Sequence, residues 1–310
     1  EHWGGLQVDD ETEVIYGNVL QIGDAAFAYY GFSQSGSDRH IELVNSCAEL
    51  LKQYNVKLYD ILIPTSVGVV VSSDYMEQLK CTDQGQTISY IFSRESEDVG
   101  RVNVFNRLIE HNDEYLYFRT DHHWTALGAY YAYEEFCASA GFVPVPLEDF
   151  EARDMGPFLG SFYGSCSQSS KLREDNVTAY NPPGDITMTI TKDNGSSFEW
   201  PVLTDISKSG IYSQYMTFLR GVHPCHHHQQ RPSGRPQLRR HQGLLREPLR
   251  ALSDAALPQR LRHRLPQVQR DDAQLLRAVL RHRRRAAHRE PGHGSGRRDA
   301  RPAGMVLQII

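Results

Sequence analysis

All 31 aromatic residues of this 310-residue chain lie before Val222. The large, stiff side chains that build a core are therefore confined to the first two-thirds of the sequence. Charge breaks at the same place. Residues 1–221 hold 14 Lys and Arg against 32 Asp and Glu, whereas residues 222–310 hold 19 Arg, no Lys and 6 acids. The two parts carry about −18 and +13, and the second lacks Asn and Thr as well. A folded domain is expected over 1–221 and a poorly ordered Arg-rich tail over 222–310.

A change of reading frame near Val222 accounts for these oddities together. Read one base later with free codon choice, residues 237–250 permit a hydrophobic strand followed by a serine turn, the serine codon straddling Leu244 and Leu245. Residues 256–269 likewise permit a strand with the Lys and aromatic residues that the tail lacks. Under this reading the cluster from His223 through Cys225 to His226, His227 and His228 is a product of Thr and Asn codons out of frame, not a metal site. The arginine run at 281–285 is treated alike, because a nucleic-acid arm mixes Lys, Gly and aromatic residues with its Arg. No nucleic-acid partner is expected.

No apolar run reaches the roughly 18 residues of a membrane span. The chain opens at Glu1 without a signal segment, so an export signal or membrane anchor would have to precede it. Cys47, Cys81, Cys137, Cys166 and Cys225 are spaced neither as a zinc motif nor as a disulfide framework.

Residues 13–32 favour short strands and turns. Ile41, Val44, Cys47 and Leu51 recur at helical spacing, which predicts a helix over 38–54 capped by Ser37 or Asp38. The apolar run 56–63, ended by Pro64, predicts a parallel strand covered on both faces, and with the preceding elements a β-α-β unit. Weaker helices are expected at 84–95 and 103–111, and a strand from Tyr115 to Arg119. A helix from Ala126 to Ala140 follows, capped by Thr125 and stopped by Gly141. Beyond it lie a Gly/Ser loop at 156–170 and a hairpin strand marked by Ile186, Met188 and Ile190.

The chemistry is concentrated in Arg119-Thr120-Asp121-His122-His123-Trp124-Thr125. In extended backbone, residues two apart share a side, so Asp121 and His123 converge while His122 faces away. An Asp bonded to one imidazole nitrogen fixes the tautomer and leaves the other nitrogen to take a proton from a nucleophilic hydroxyl. The plain alternative is that Asp121 and His123 cap a helix and pair with neighbours. A metal-dependent phosphoesterase is a further one, since Asp-His-His can ligate a metal, but no upstream Asp-x-Asp partner supports it.

The run Thr120 to Thr125 resembles the signature of the DHHW proteins, which are similar to SGNH-like domains of bacterial alginate and exopolysaccharide O-acetyltransferases. The resemblance spans residues 40–221. It implies a flavodoxin-like α/β three-layer sandwich, an extracellular or membrane-anchored setting, no cofactor, and a Ser-His-Asp triad acting on acetyl esters of a polysaccharide. By position, Asp121 would orient the base and His123 would be the base, with Thr120, Trp124 and Thr125 setting the loop and helix start.

In that arrangement the nucleophilic serine follows well downstream, after a hydrophobic strand, and no such serine exists beyond Val222. Ser161 and Ser165 are the in-frame alternatives, in a segment without a Gly-x-Ser-x-Gly elbow. The chain is thus expected to be an incomplete domain, missing its last strand and helix, and inactive as an acyl ester hydrolase or O-acetyltransferase. A noncatalytic carbohydrate-binding protein of the cell envelope is the rival.

Overall fold

A computed structural model describes residues 13–184, 186–191, 196–206, 208–218, 226–230 and 306–309. Strands β1 (Glu13–Tyr16), β2 (Val19–Ile22) and β3 (Ala25–Ala28) form an antiparallel meander. Its turns pass through Gly17 and Gly23 at φ +64° and +57°, a region that favours glycine. Helix α1 (Gln34–Lys52) leads to strand β4 (Leu58–Ile63). Short helices α2 (Ser66–Val70), α3 (Ser73–Gln78) and α4 (Gln84–Phe92) precede strand β5 (Val99–Val102). Helices α5 (Val104–Glu110) and α6 (Ala126–Ala140) complete the first half.

Three layers follow from the pleat of β4. Leu58 packs with Val44, Cys47 and Ala48 of α1, and Leu62 with Ile41 of α1 and Ile88, Ile91 and Phe92 of α4. Ile61 and Ile63 turn the other way, onto Val104 and Leu108 of α5 and Ala129, Tyr133 and Phe136 of α6. Both faces of the strand are covered, and the α/β three-layer sandwich expected from the sequence is the observed fold.

Several elements differ from expectation. Helix α1 begins at Gln34 because the Ser33 hydroxyl, not Ser37 or Asp38, accepts the Gly36 N–H at 3.2 Å. The strands at 13–28 build their own sheet. The parallel partner of β4 is instead β5, in register from Leu58 with Val99 to Ile61 with Val102. Strand β5 is only four residues long and carries Gly100 beneath the Tyr59 ring, where a Cβ would collide. Tyr115 to Arg119 is no sheet strand. It makes one antiparallel bridge, Tyr117 with Trp124, and its Arg119 carbonyl accepts the Ala26 N–H at 2.8 Å.

The second half adds strand β6 (Glu151–Phe158), helix α7 (Ser161–Ser165) and strand β7 (Asp175–Asn181), with β6 and β7 antiparallel around a bulge at Asp154 and Gly156. The Gly/Ser segment is therefore partly regular, not a plain loop. Strands β8 (Thr187–Thr191) and β9 (Ser197–Pro201) form the expected hairpin. Strand β10 (His226–Gln230) pairs with β8, and strand β11 (Val306–Ile309) lies antiparallel on β4. The rest of the tail lies outside the described residues. No described helix is long and apolar enough to cross a membrane.

Candidate functional site

The segment between α5 and α6 folds back on itself. Thr125 N–H donates to Leu116 O at 2.8 Å and Phe118 N–H to His123 O at 3.2 Å. Trp124, 1 % exposed, anchors this turn in the α5 and α6 core. The Thr125 hydroxyl accepts the Gly128 N–H at 3.3 Å, capping α6 as expected, and donates to Tyr115 O at 2.8 Å. Gly128 sits against the Leu116 carbonyl, with no room for a Cβ. Thus the motif is pinned by the helix on one side and the 115–118 segment on the other.

Asp175, the first residue of β7, fastens the motif from below. Its carboxylate accepts Arg119 N–H and Thr120 N–H, each at 2.8 Å, the Thr120 hydroxyl at 2.5 Å, and the Tyr115 hydroxyl. Burial pushes the Asp175 carboxyl up, against the lowering effect of these donors. Thr120 in turn accepts the Gly160 N–H at 2.9 Å, so the motif and the start of α7 are joined through one hydroxyl.

Asp121 and His123 converge as the sequence predicts. His123 Nδ1 lies 2.5 Å from Asp121 Oδ1, which also accepts the His123 backbone N–H at 3.1 Å. Asp121 Oδ2 accepts the Ser161 N–H at 2.7 Å. Burial works to raise the Asp121 carboxyl, but the His123 hydrogen bond, the two imidazoles and the Ser161 N–H outweigh it and hold it well below the usual carboxylate range. Gly160 lets this close approach happen, because a Cβ there would collide with the Asp121 side chain. Tyr215 stacks on His123 with ring centroids 3.9 Å apart and 19° between planes.

His122 does not face away. Its ring lies 3.9 Å from that of His123, and its Nδ1 is 3.4 Å from Asp121 Oδ1 and 2.9 Å from Ser161 Oγ. The motif is a tight turn, so the two-residue alternation of a strand does not apply. Burial, then the neighbouring His123, lower the His122 pKa. Ser161 is thus brought to the site, but it meets the same His122 nitrogen that faces Asp121. Ser165 is turned away, its hydroxyl donating to Ser161 O at 3.1 Å.

With Nδ1 bonded to Asp121, any proton transfer by His123 runs through Nε2. The side chains of Asp121, His122 and His123 also present donor atoms within 4.8 Å of one another, as do those of His40, Asp60 and Glu95. Sequence reasoning missed Asp175, Gly160 and Tyr215, which lie about 40 to 95 positions downstream and carry no local motif. The Gly160-Ser161 pair alone offered a signal, and it pointed to the hydroxyl, whereas it is the Ser161 backbone N–H that bonds Asp121.

A family model for the DHHW protein matches residues 5–229, the Asp121-His122-His123-Trp124 run among them. The chain belongs to the DHHW family. A solved DHHW family protein from Eubacterium siraeum is 24 % identical, with a TM-score of 0.63 over 74 % of this chain and 76 % of that one. Bacillus cereus PatB1, solved with a sulfonyl adduct, is 14 % identical, with a TM-score of 0.54 over 74 % and 76 %. The O-acetyltransferase domain of Pseudomonas putida AlgJ is 14 % identical, with a TM-score of 0.37 over 53 % and 64 %. No curated protein sequence matches the chain. At these identities the likeness to the DHHW protein and PatB1 is one of fold.

Proposed function

We propose that Asp121 and His123 are the orienting acid and the general base of an SGNH-like acyl-transfer site, of the esterase or O-acetyltransferase kind, acting on extracellular or cell-envelope polysaccharide. The observation that carries this is the 2.5 Å Asp121–His123 hydrogen bond, held from behind by Ser161 N–H and covered by the Tyr215 ring. A buried carboxylate fixed in this way sets the imidazole tautomer and stabilises the imidazolium that forms when a hydroxyl is deprotonated. Asp175 and Thr120 act as positioning residues for that pair. The residues present call for no cofactor in this chemistry.

In our reading the chain lacks the nucleophile. Ser161 is poorly placed for it, because a working relay needs the carboxylate and the hydroxyl on opposite imidazole nitrogens, and here both face Nδ1 of His122. The family match ends at residue 229, close to the compositional break at Val222, which supports a lost reading frame as the cause. Removing the serine of a working triad costs on the order of 10⁶ in kcat, so catalysis at or near background is expected.

The PatB1 structure with a sulfonyl adduct suggests the test. Incubating the full chain with a sulfonyl fluoride should leave its intact mass unchanged. A single adduct on Ser161 or Ser165 that disappears in His123→Ala would overturn the claim that the nucleophile is missing.

A further inference from the structure

A second group of ionisable side chains lies on the sheet face away from α6. Helix α1 supplies His40, β4 supplies Asp60, and the turn after α4 supplies Glu95. His40 Nε2 is 2.7 Å from Asp60 Oδ2 and 3.8 Å from Glu95 Oε1. The Asp60 and Glu95 side chains have no solvent exposure, while that of His40 is 12 % exposed. The residues flanking Asp60 on this face, Leu58 and Leu62, belong to the apolar clusters under α1 and α4.

With both carboxylates ionised, Asp60 Oδ1 and both Glu95 oxygens are buried without a hydrogen-bond partner. Arg101 does not cure this. Its Nη2 donates to the Glu95 backbone carbonyl at 2.6 Å, and its Nε stays 3.8 Å from Glu95 Oε2. Ionised carboxylates in such surroundings require a bound cation or a proton. The His122 and Asp121 site shares no residue with this group.

We propose that His40, Asp60 and Glu95 form a binding site for a divalent first-row cation, zinc above all, with solvent in a fourth position. Zinc bonds of about 2.0–2.2 Å in a tetrahedral site put neighbouring ligand atoms roughly 3.3 Å apart. The separations of 2.7 and 3.8 Å lie on either side of that value, so small side-chain rotations complete the shell. One imidazole with two carboxylates suits zinc better than magnesium or calcium, which prefer more oxygen ligands. The partly exposed His40 edge is the way in. A bound ion would tie α1 to β4 and to the turn before β5.

The test is calorimetric titration of zinc chloride into metal-stripped full-length chain. His122→Ala, His226→Ala, His227→Ala and His228→Ala are built in to remove competing imidazoles. One saturable equivalent of zinc is expected, weakened about 100-fold or more by Glu95→Gln, as for loss of a ligand or its close support. No saturable equivalent, or equal affinity in Glu95→Gln, overturns the proposal. If Glu95→Gln does not fold, zinc-edge anomalous diffraction on the parent decides. A peak between His40, Asp60 and Glu95 upholds the site, and a peak elsewhere or none rejects it.

Discussion

At the scale of single residues, the site is held by two buried carboxylates with different tasks. Asp175 accepts four donors, and Asp175→Ala leaves Thr120, Arg119 and Tyr115 groups buried without acceptors. That change should cost on the order of 3 kcal/mol or more, read as a lower midpoint of denaturant unfolding, because each stranded donor carries a penalty of about 1–3 kcal/mol. A loss under about 1 kcal/mol would show that Asp175 does not fasten the motif. Asp121 has its pKa depressed in the folded chain, so its stabilisation is fully present above the ordinary carboxylate value of 3.8 and is lost as pH falls toward the depressed folded value. The stability gap between the wild type and Asp121→Asn should therefore be widest near neutral pH and close under acid. A gap that grows on acidification would have the opposite sign and refute the assignment. Gly160→Ala should break the short Asp121–His123 contact, seen as loss of the far-downfield His123 Hδ1 resonance by NMR, with the overall fold retained. The Asp121 and His123 pair was legible in the sequence because both ends of the contact sit two residues apart in one seven-residue run. Asp175 and Tyr215 were not, because they reach the motif only through tertiary folding.

At the scale of elements, capping explains both the correct and the displaced boundaries. Thr125 and Gly141 bracket α6 as their residue types dictate, with Gly141 at φ +73°. For α1 two serines and an aspartate competed, and Ser33 prevails because its hydroxyl meets the Gly36 N–H while Ser37 is buried inside the helix. Ser33→Ala should lower stability by about 1 kcal/mol. No loss in thermal or denaturant unfolding would return the cap to a later residue. The long apolar strand β4 and its helices were legible from periodicity. Strand β5 was not, since four residues with a central Gly-Arg pair give no pattern, and the role of the 115–119 segment is set by its return contact with Trp124.

At the scale of the whole molecule, β4 is the middle of the sheet in the order β11, β4, β5. A strand covered on both faces expects partners along both edges, and one edge here is taken by tail residues running antiparallel. Deleting residues 306–310 exposes the N–H and C=O groups of that edge, which invites pairing with another copy. The shortened chain should sediment as concentration-dependent oligomers, whereas a strict monomer would show that the edge is protected by other means. The charge and aromatic break at Val222 is legible in the sequence, whereas the antiparallel partner that β4 takes at Val306–Ile309 carries no signal there. The central claim is that a base pair stands ready without its nucleophile, and acetyl-ester turnover tests it most directly. The present chain and one continued from Val222 in the neighbouring frame should be compared with the same substrate. The account predicts background rates for the first and His123-dependent turnover for the second. Robust turnover by the present chain that vanishes in His123→Ala would contradict it.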